Sequence, residues 1–168
     1  MDFPQRKPNR LPHFDHSTPG AYFITICTQN RLPILSSIVG GGALDAPHIQ
    51  LSEAGQTVRK YVESGNRTHE ITVDKYVIMP NHIHLILLVD NTSSSATSRT
   101  SSPANATIPH FVSTFKRLCH RDIGQTIFQR SYHDHIIRNE NDYQKIWEYI
   151  DNNPAKWQED CFYVPPQL

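Results

Sequence analysis

His82 and His84 flank a single residue in Met79-Pro80-Asn81-His82-Ile83-His84-Leu85-Ile86, and Tyr149 lies four positions before Asn153 in Tyr149-Ile150-Asp151-Asn152-Asn153-Pro154. On a strand, residues i and i+2 share a face, so both imidazoles project together while Ile83 points into the opposite layer. On a helix, residues i and i+4 share a face, so Tyr149 and Asn153 project together near its end. Two neutral imidazoles can hold one divalent ion and leave most of its coordination sphere to a carbonyl or carboxylate oxygen, water and a phosphate. A phenol, with a pKa of about 10, is a poor nucleophile at neutral pH unless its target is activated. A metal on a scissile phosphate supplies that activation and holds the attack in line. If strand and helix pack side by side, metal-assisted attack of a tyrosine on a phosphodiester becomes geometrically feasible.

Each residue also has a structural explanation that spacing alone leaves open. A chain with ten histidines produces short His-x-His matches by chance, and two histidines at a strand end can be satisfied by hydrogen bonds. Tyr149 falls at the edge of the apolar stripe of its helix, formed by Tyr143, Ile146, Trp147 and Ile150, where a boundary tyrosine is common. Asn153 can simply cap that helix ahead of Pro154. A second pair, His133-Asp134-His135, has a charged central residue and reads better as surface packing or a phosphate contact than as part of a buried strand.

The elements that must position these groups follow from periodicity. Residues 21–28 are aromatic and β-branched, the pattern of a central strand apolar on both faces. Residues 33–50 are expected to be irregular, with Gly40-Gly41-Gly42 as a flexible turn because no phosphate-loop pattern follows it. A helix is expected over 51–64, capped by Ser52 and stopped by Gly65. Strands over 71–79 and 82–89 are joined by Pro80-Asn81. Residues 91–107, nearly all Ser, Thr, Ala and Asn, should form a flexible loop. A helix over 109–122, a strand over 128–137 and a last helix from Asn139 or Asn141 to about Asn152 complete the series. The order is an α+β, ferredoxin-like β-α-β-β-α-β antiparallel sheet followed by a C-terminal helix that carries Tyr149.

The 168 residues suffice for one domain with its own core. The first twenty are polar and proline-rich, and no apolar run is long enough to span a bilayer, so a cytoplasmic protein without membrane attachment is expected. Cys27, Cys119 and Cys161 are odd in number and widely spaced, which suggests reduced thiols and no zinc cage. Formal net charge is zero, so nucleic-acid binding would have to rest on segregated charge. Candidates are Arg6, Lys7 and Arg10 in a basic leader, Lys116 and Arg117 with Arg121 on one segment, and Arg130 and Arg138. Ordinary solvated surface explains them equally on charge alone.

The ordered set of motifs resembles the single-tyrosine HUH transposases, and more closely their REP-associated tyrosine transposase branch. The resemblance covers most of the chain. It is carried by Arg6-Lys7-Pro8-Asn9-Arg10, residues 19–31, Met79-Pro80-Asn81-His82-Ile83-His84, Phe115-Lys116, Gln129-Arg130, and the run from His135 to Glu140 and from Tyr149 to Trp157. It implies that His82, His84 and Asn153 ligate a divalent metal, Mg²⁺ or Mn²⁺, and that Tyr149 is the nucleophile. It further implies cutting and rejoining of single-stranded hairpin DNA through a 5′-phosphotyrosine, without ATP. The Ser-rich stretch 91–107 carries no motif of that family, and a longer C-terminal guide-recognition segment is expected to be absent. A non-catalytic hairpin-binding module is the alternative from another class. A water-using phosphodiesterase is a third. The sequence leaves open whether one chain completes the site or two chains of a homodimer share it.

Overall fold

The computed structural model describes residues 18–40, 46–65, 71–90 and 107–165. The basic leader, with Arg6, Lys7 and Arg10, and nearly all of the 91–107 stretch lie outside these residues; Thr107 opens a helix. Six strands and three α-helices are described: β1 (Gly20–Cys27), β2 (Ser36–Val39), β3 (His48–Leu51), α1 (Glu53–Gly65), β4 (Ile71–Ile78), β5 (His82–Val89), α2 (Thr107–Ile123), β6 (His133–Ile137) and α3 (Glu140–Asn152). The main sheet has the order β4-β5-β1-β6 with every neighbouring pair antiparallel, which is the ferredoxin-like arrangement expected from the element order. No helix among the described residues is long and apolar enough to cross a membrane.

Strand alternation divides the core in two. Tyr22, Ile24, Ile83, Leu85 and Leu87 point to the face covered by α1 and α2, where they meet Val58, Val62, Val112 and Phe115. Each such fully buried aliphatic side chain contributes about 1.5–3 kcal/mol. The opposite face carries Ile86 and Val77 against Ile150, Tyr143, Ile146 and Trp147 of α3, with Ile38 and Ile49 alongside. Because His82 and His84 are in phase with Ile86, they face α3. The strand that supplies the histidines therefore presents them to the layer that contains Tyr149.

A bulge in β4 fixes the seat of α3. The register with β5 shifts between Val73 and Lys75, so Asp74 and Lys75 both serve the α3 side. Asp74 accepts a hydrogen bond from the Tyr143 hydroxyl. Lys75 pairs with Asp151 and lies 4.0 Å from the centre of the Trp147 ring. At the helix start, the Asn139 side chain accepts from the Asp142 N–H at 2.9 Å, as the sequence suggested.

Three local expectations need correction. Residues 33–50 are not wholly irregular, since β2 and β3 form a two-stranded antiparallel ribbon; four-residue strands are too short for alternation to reveal them. Leu51 consequently ends β3 rather than starting a helix, although Ser52 does cap α1, its Oγ accepting from Gly55 N–H at 3.0 Å. The last strand is not continuous from residue 128. Phe128 makes an isolated bridge with Thr28, and the Lys116 ammonium instead bonds the carbonyls of Gln129, Arg130 and Ser131 at 2.8, 3.2 and 2.9 Å. Those carbonyls are satisfied by a side chain in place of a ladder, which lets the chain leave the sheet until His133.

Candidate active site

The β1–β5 register places Thr25 opposite His84 and Cys27 opposite His82. The two imidazoles are fully buried, and their Nε2 atoms lie 3.0 Å apart. His82 Nδ1 is 2.9 Å from Asn81 Oδ1, and His84 Nδ1 is 2.8 Å from Thr25 Oγ1. Burial is the main cause that lowers the His82 pKa to about 4, with the Asp160 carboxylate opposing and Arg31 adding to the shift. Burial, then the charge of His82, holds His84 well below the ordinary histidine range. At neutral pH both rings are therefore uncharged, the state in which imidazole binds metals.

Tyr149, on the last turn of α3, is 40% exposed, which matches the half-buried position read from the helical wheel. Its hydroxyl lies 3.3 Å from His84 Nε2 and donates to Asp160 Oδ2 at 3.0 Å. Burial raises its pKa most, followed by the charge of Asp160 and the hydrogen bond to it, while a hydrogen bond from Asn153 acts in the other direction.

Asn153 is the C-cap of α3 in helical conformation and is buried. Its Nδ2 donates to Asp160 Oδ2 at 2.7 Å, while its Oδ1 is buried without a hydrogen-bond partner among the described residues. A buried carbonyl oxygen left bare is costly unless something electropositive occupies the space beside it. Chain geometry after Pro154 then brings in a residue that periodicity could not find. Residues 153–156 turn, a short 3₁₀ segment (Trp157–Glu159) follows, and Asp160 returns to the histidines. The ligand atoms of His82, His84 and Asp160 lie within 4.8 Å of one another. Two imidazole nitrogens and the Asp160 carboxylate form a mixed N/O donor set suited to a divalent ion, with the Asn153 side chain against that carboxylate. The residues present thus fit such a cation.

The returning segment is tied down at several points. Asn81 Nδ2 donates to Phe162 O at 2.8 Å and to Arg31 O at 3.3 Å, and Phe162 N–H donates to Asp160 Oδ1 at 2.7 Å. The Phe162 ring packs 4.6 Å from the His82 ring, centre to centre. Beside Tyr149 opens a cleft of about 330 Å³ lined by Lys145, Asn153, Lys156 and Asp160 among others. Lys145 and Lys156 are cations that the sequence analysis did not select.

The remaining selected residues are placed apart from this centre. Arg117 and Arg130 are exposed and line a second cleft of about 380 Å³ with His120. Lys116 reaches that cleft but is only 8% exposed, and its ammonium is engaged by the three carbonyls described above. Arg138 is exposed just ahead of α3. His133 and His135 are exposed on β6, and His135 pairs with Asp142 at 2.9 Å, in keeping with surface packing. Cys27 and Cys119 are buried, Cys161 is exposed, and all three are free thiols.

Comparison with known proteins agrees with this architecture. Residues 47–153 match the family described as "Transposase IS200 like". An uncharacterized protein of Haemophilus influenzae is 31% identical over 180 residues, spanning 95% of this chain and 93% of that protein. Among solved structures, a REP-associated tyrosine transposase bound to a REP hairpin is similar with a TM-score of 0.57 at 19% identity, covering 94% of this chain and 74% of that one; this likeness concerns the fold. With a histidine pair facing a tyrosine-bearing helix across a ferredoxin-like sheet, and a family match over most of its length, the chain belongs to the IS200-like transposases, the single-tyrosine HUH family.

Proposed function

We propose that this protein is a DNA transposase and endonuclease that cuts and rejoins single-stranded hairpin DNA through Tyr149. The observation that carries the reading is the approach of the Tyr149 hydroxyl to within 3.3 Å of His84 Nε2, beside a histidine pair whose Nε2 atoms converge. His82, His84 and Asn153 would hold the cation, Mg²⁺ or Mn²⁺, with the Asp160 carboxylate as a further oxygen donor. When bound, that ion withdraws charge from the phosphoryl oxygens of the scissile phosphate.

The protein's own groups do the rest. Burial and Asp160 keep the Tyr149 phenol protonated until substrate arrives. The phenolic oxygen then bonds to phosphorus while the P–O3′ bond breaks. The phenolic proton passes to Asp160 Oδ2, and the departing 3′ oxygen takes up a proton from solvent water to become a 3′-OH. The product is a 5′-phosphotyrosine, which conserves the energy of the cleaved ester, so a second 3′-OH reverses the step and joins new partners. Lys145 and Lys156, lining the cleft beside Tyr149, neutralise the approaching phosphate; Arg117, Arg130 and Arg138 contact backbone farther out, and Arg6, Lys7 and Arg10 do so from the leader. The whole chain acts as one domain in the cytoplasm, and one copy supplies a complete site.

The test is incubation of labelled hairpin DNA from the gene's own flanks with protein and Mg²⁺ or Mn²⁺, followed by denaturing electrophoresis. A metal-dependent label at protein size, lost in Tyr149→Phe, is the expected result. Nicking that survives Tyr149→Phe would mean a water-using phosphodiesterase, and tight binding without cleavage would mean a hairpin-binding module.

A further inference from the structure

Resting on the cation reading above, the geometry points to Asn81 and Thr25 as the positioning residues of the histidine pair: Asn81 locks His82 in one tautomer, and Thr25 lets His84 exchange tautomers when a cation enters. The Asn81 amide cannot be turned round, because its Nδ2 donates to two backbone carbonyls, Phe162 O at 2.8 Å and Arg31 O at 3.3 Å, and carbonyls only accept. Its Oδ1 must then face His82 Nδ1, 2.9 Å away. An amide oxygen also only accepts, so His82 carries its proton on Nδ1 and leaves Nε2 bare. The lock is buried, with Asn81 1% exposed.

That bare nitrogen faces His84 Nε2 at 3.0 Å. Two lone pairs cannot meet at that distance, so without a cation His84 carries its proton on Nε2 and donates it to His82. His84 Nδ1 is then an acceptor, and the Thr25 hydroxyl 2.8 Å away donates to it. A cation shared by the two Nε2 atoms needs both lone pairs, which moves the His84 proton from Nε2 to Nδ1 with no net change in protonation. Thr25 Oγ1 must now accept. A hydroxyl does either by rotating about its C–O bond; an amide in its place would favour one state. The β1–β5 register sets this threonine directly opposite His84.

The experiment is two-bond ¹⁵N–¹H correlation on the full-length protein with labelled histidine, before and after addition of Zn²⁺ as a diamagnetic probe. Without metal, His82 is expected as the Nδ1–H form and His84 as the Nε2–H form; Zn²⁺ should convert only His84. Thr25→Val keeps the shape but removes donor and acceptor, and should weaken Zn²⁺ binding by about 10- to 100-fold, whereas Thr25→Ser should retain it. A purely steric role would give the opposite ranking. His84 already in the Nδ1–H form without metal, or wild-type Zn²⁺ affinity in Thr25→Val, would overturn the proposal. Zn²⁺ uptake with an unchanged His84 tautomer sinks the proposal alone, while absence of Zn²⁺ uptake by the wild type sinks the cation reading with it.

Discussion

Lys116→Met separates two roles for one lysine. Sequence suggests a DNA-backbone contact; the structure surrounds its ammonium with the carbonyls of Gln129, Arg130 and Ser131 at 8% exposure. Methionine nearly matches the volume and removes every donor. An unsatisfied buried polar group costs about 1–3 kcal/mol, so three carbonyls at the lower limit amount to about 3 kcal/mol, since some will reach water as the segment relaxes. Urea denaturation followed by tryptophan fluorescence should show a loss of that size at unchanged slope. Hairpin binding, measured by fluorescence anisotropy at several salt concentrations, should keep its salt dependence. A phosphate contact predicts the reverse: stability within about 0.5 kcal/mol of wild type and a log–log salt slope shallower by about 0.9. That outcome would refute the assignment of Lys116 to the 129–131 segment.

Three other outcomes follow from particular contacts. Lowering the pH should destabilise the metal-free protein, because His82 titrates at 6.5 when unfolded and about 4 when folded; its contribution is complete above 6.5, is lost between 6.5 and 4, and amounts to about 3 kcal/mol. Equilibrium unfolding at pH 7.5 and 4.5 that gave equal stabilities would contradict this. Gly55→Ala would place a Cβ 2.0 Å from Leu35 O, and the required backbone shift should cost more than about 2 kcal/mol in thermal or urea unfolding; a silent substitution would show that α1 does not press on residue 35 as described. Asp74→Ala removes the acceptor for Tyr143 and should cost about 1 kcal/mol while lowering adduct yield more than hairpin affinity, a split that parallel cleavage and anisotropy measurements would reveal or exclude.

The parts of this protein that could be read in one dimension are those governed by local period. β5 was legible because Leu85 to Val89 continue the histidine strand as an apolar run, and α3 because Asn139 and the Tyr143–Ile150 stripe mark its start and buried face. The placement of Tyr149 beside the stripe followed from the same wheel. The β2–β3 ribbon escaped because four residues hold only two alternations. Asp160 escaped for a different reason: it shares no element with Asn153 and reaches the histidines through a turn whose path depends on Asn81 and Phe162. Thr25 looked like any β-branched strand residue until the register set it opposite His84. The inward seat of Lys116 is not legible in sequence, because a cation's solvent exposure is a property of the packed chain, and nothing in Phe115-Lys116-Arg117 tells which of the two cations turns inward.

The antiparallel pairing of β1 with β5 has a thermodynamic consequence. Thr25, His84 and the segment from Asn153 to Asp160 come from distant stretches of chain and meet only when that pairing, the seat of α3 and the final turn all exist together. An unfolded or partly unpaired chain has no preformed cation site, so any ion taken up at the histidines draws its affinity from the same equilibrium that closes the sheet. Ion affinity and conformational stability become linked quantities: at an ion concentration one hundred times the dissociation constant, the native state gains about 2.7 kcal/mol. With the proposed cation bound, a chelator would act as a mild denaturant, and the melting temperature would become a gauge of how full the site is.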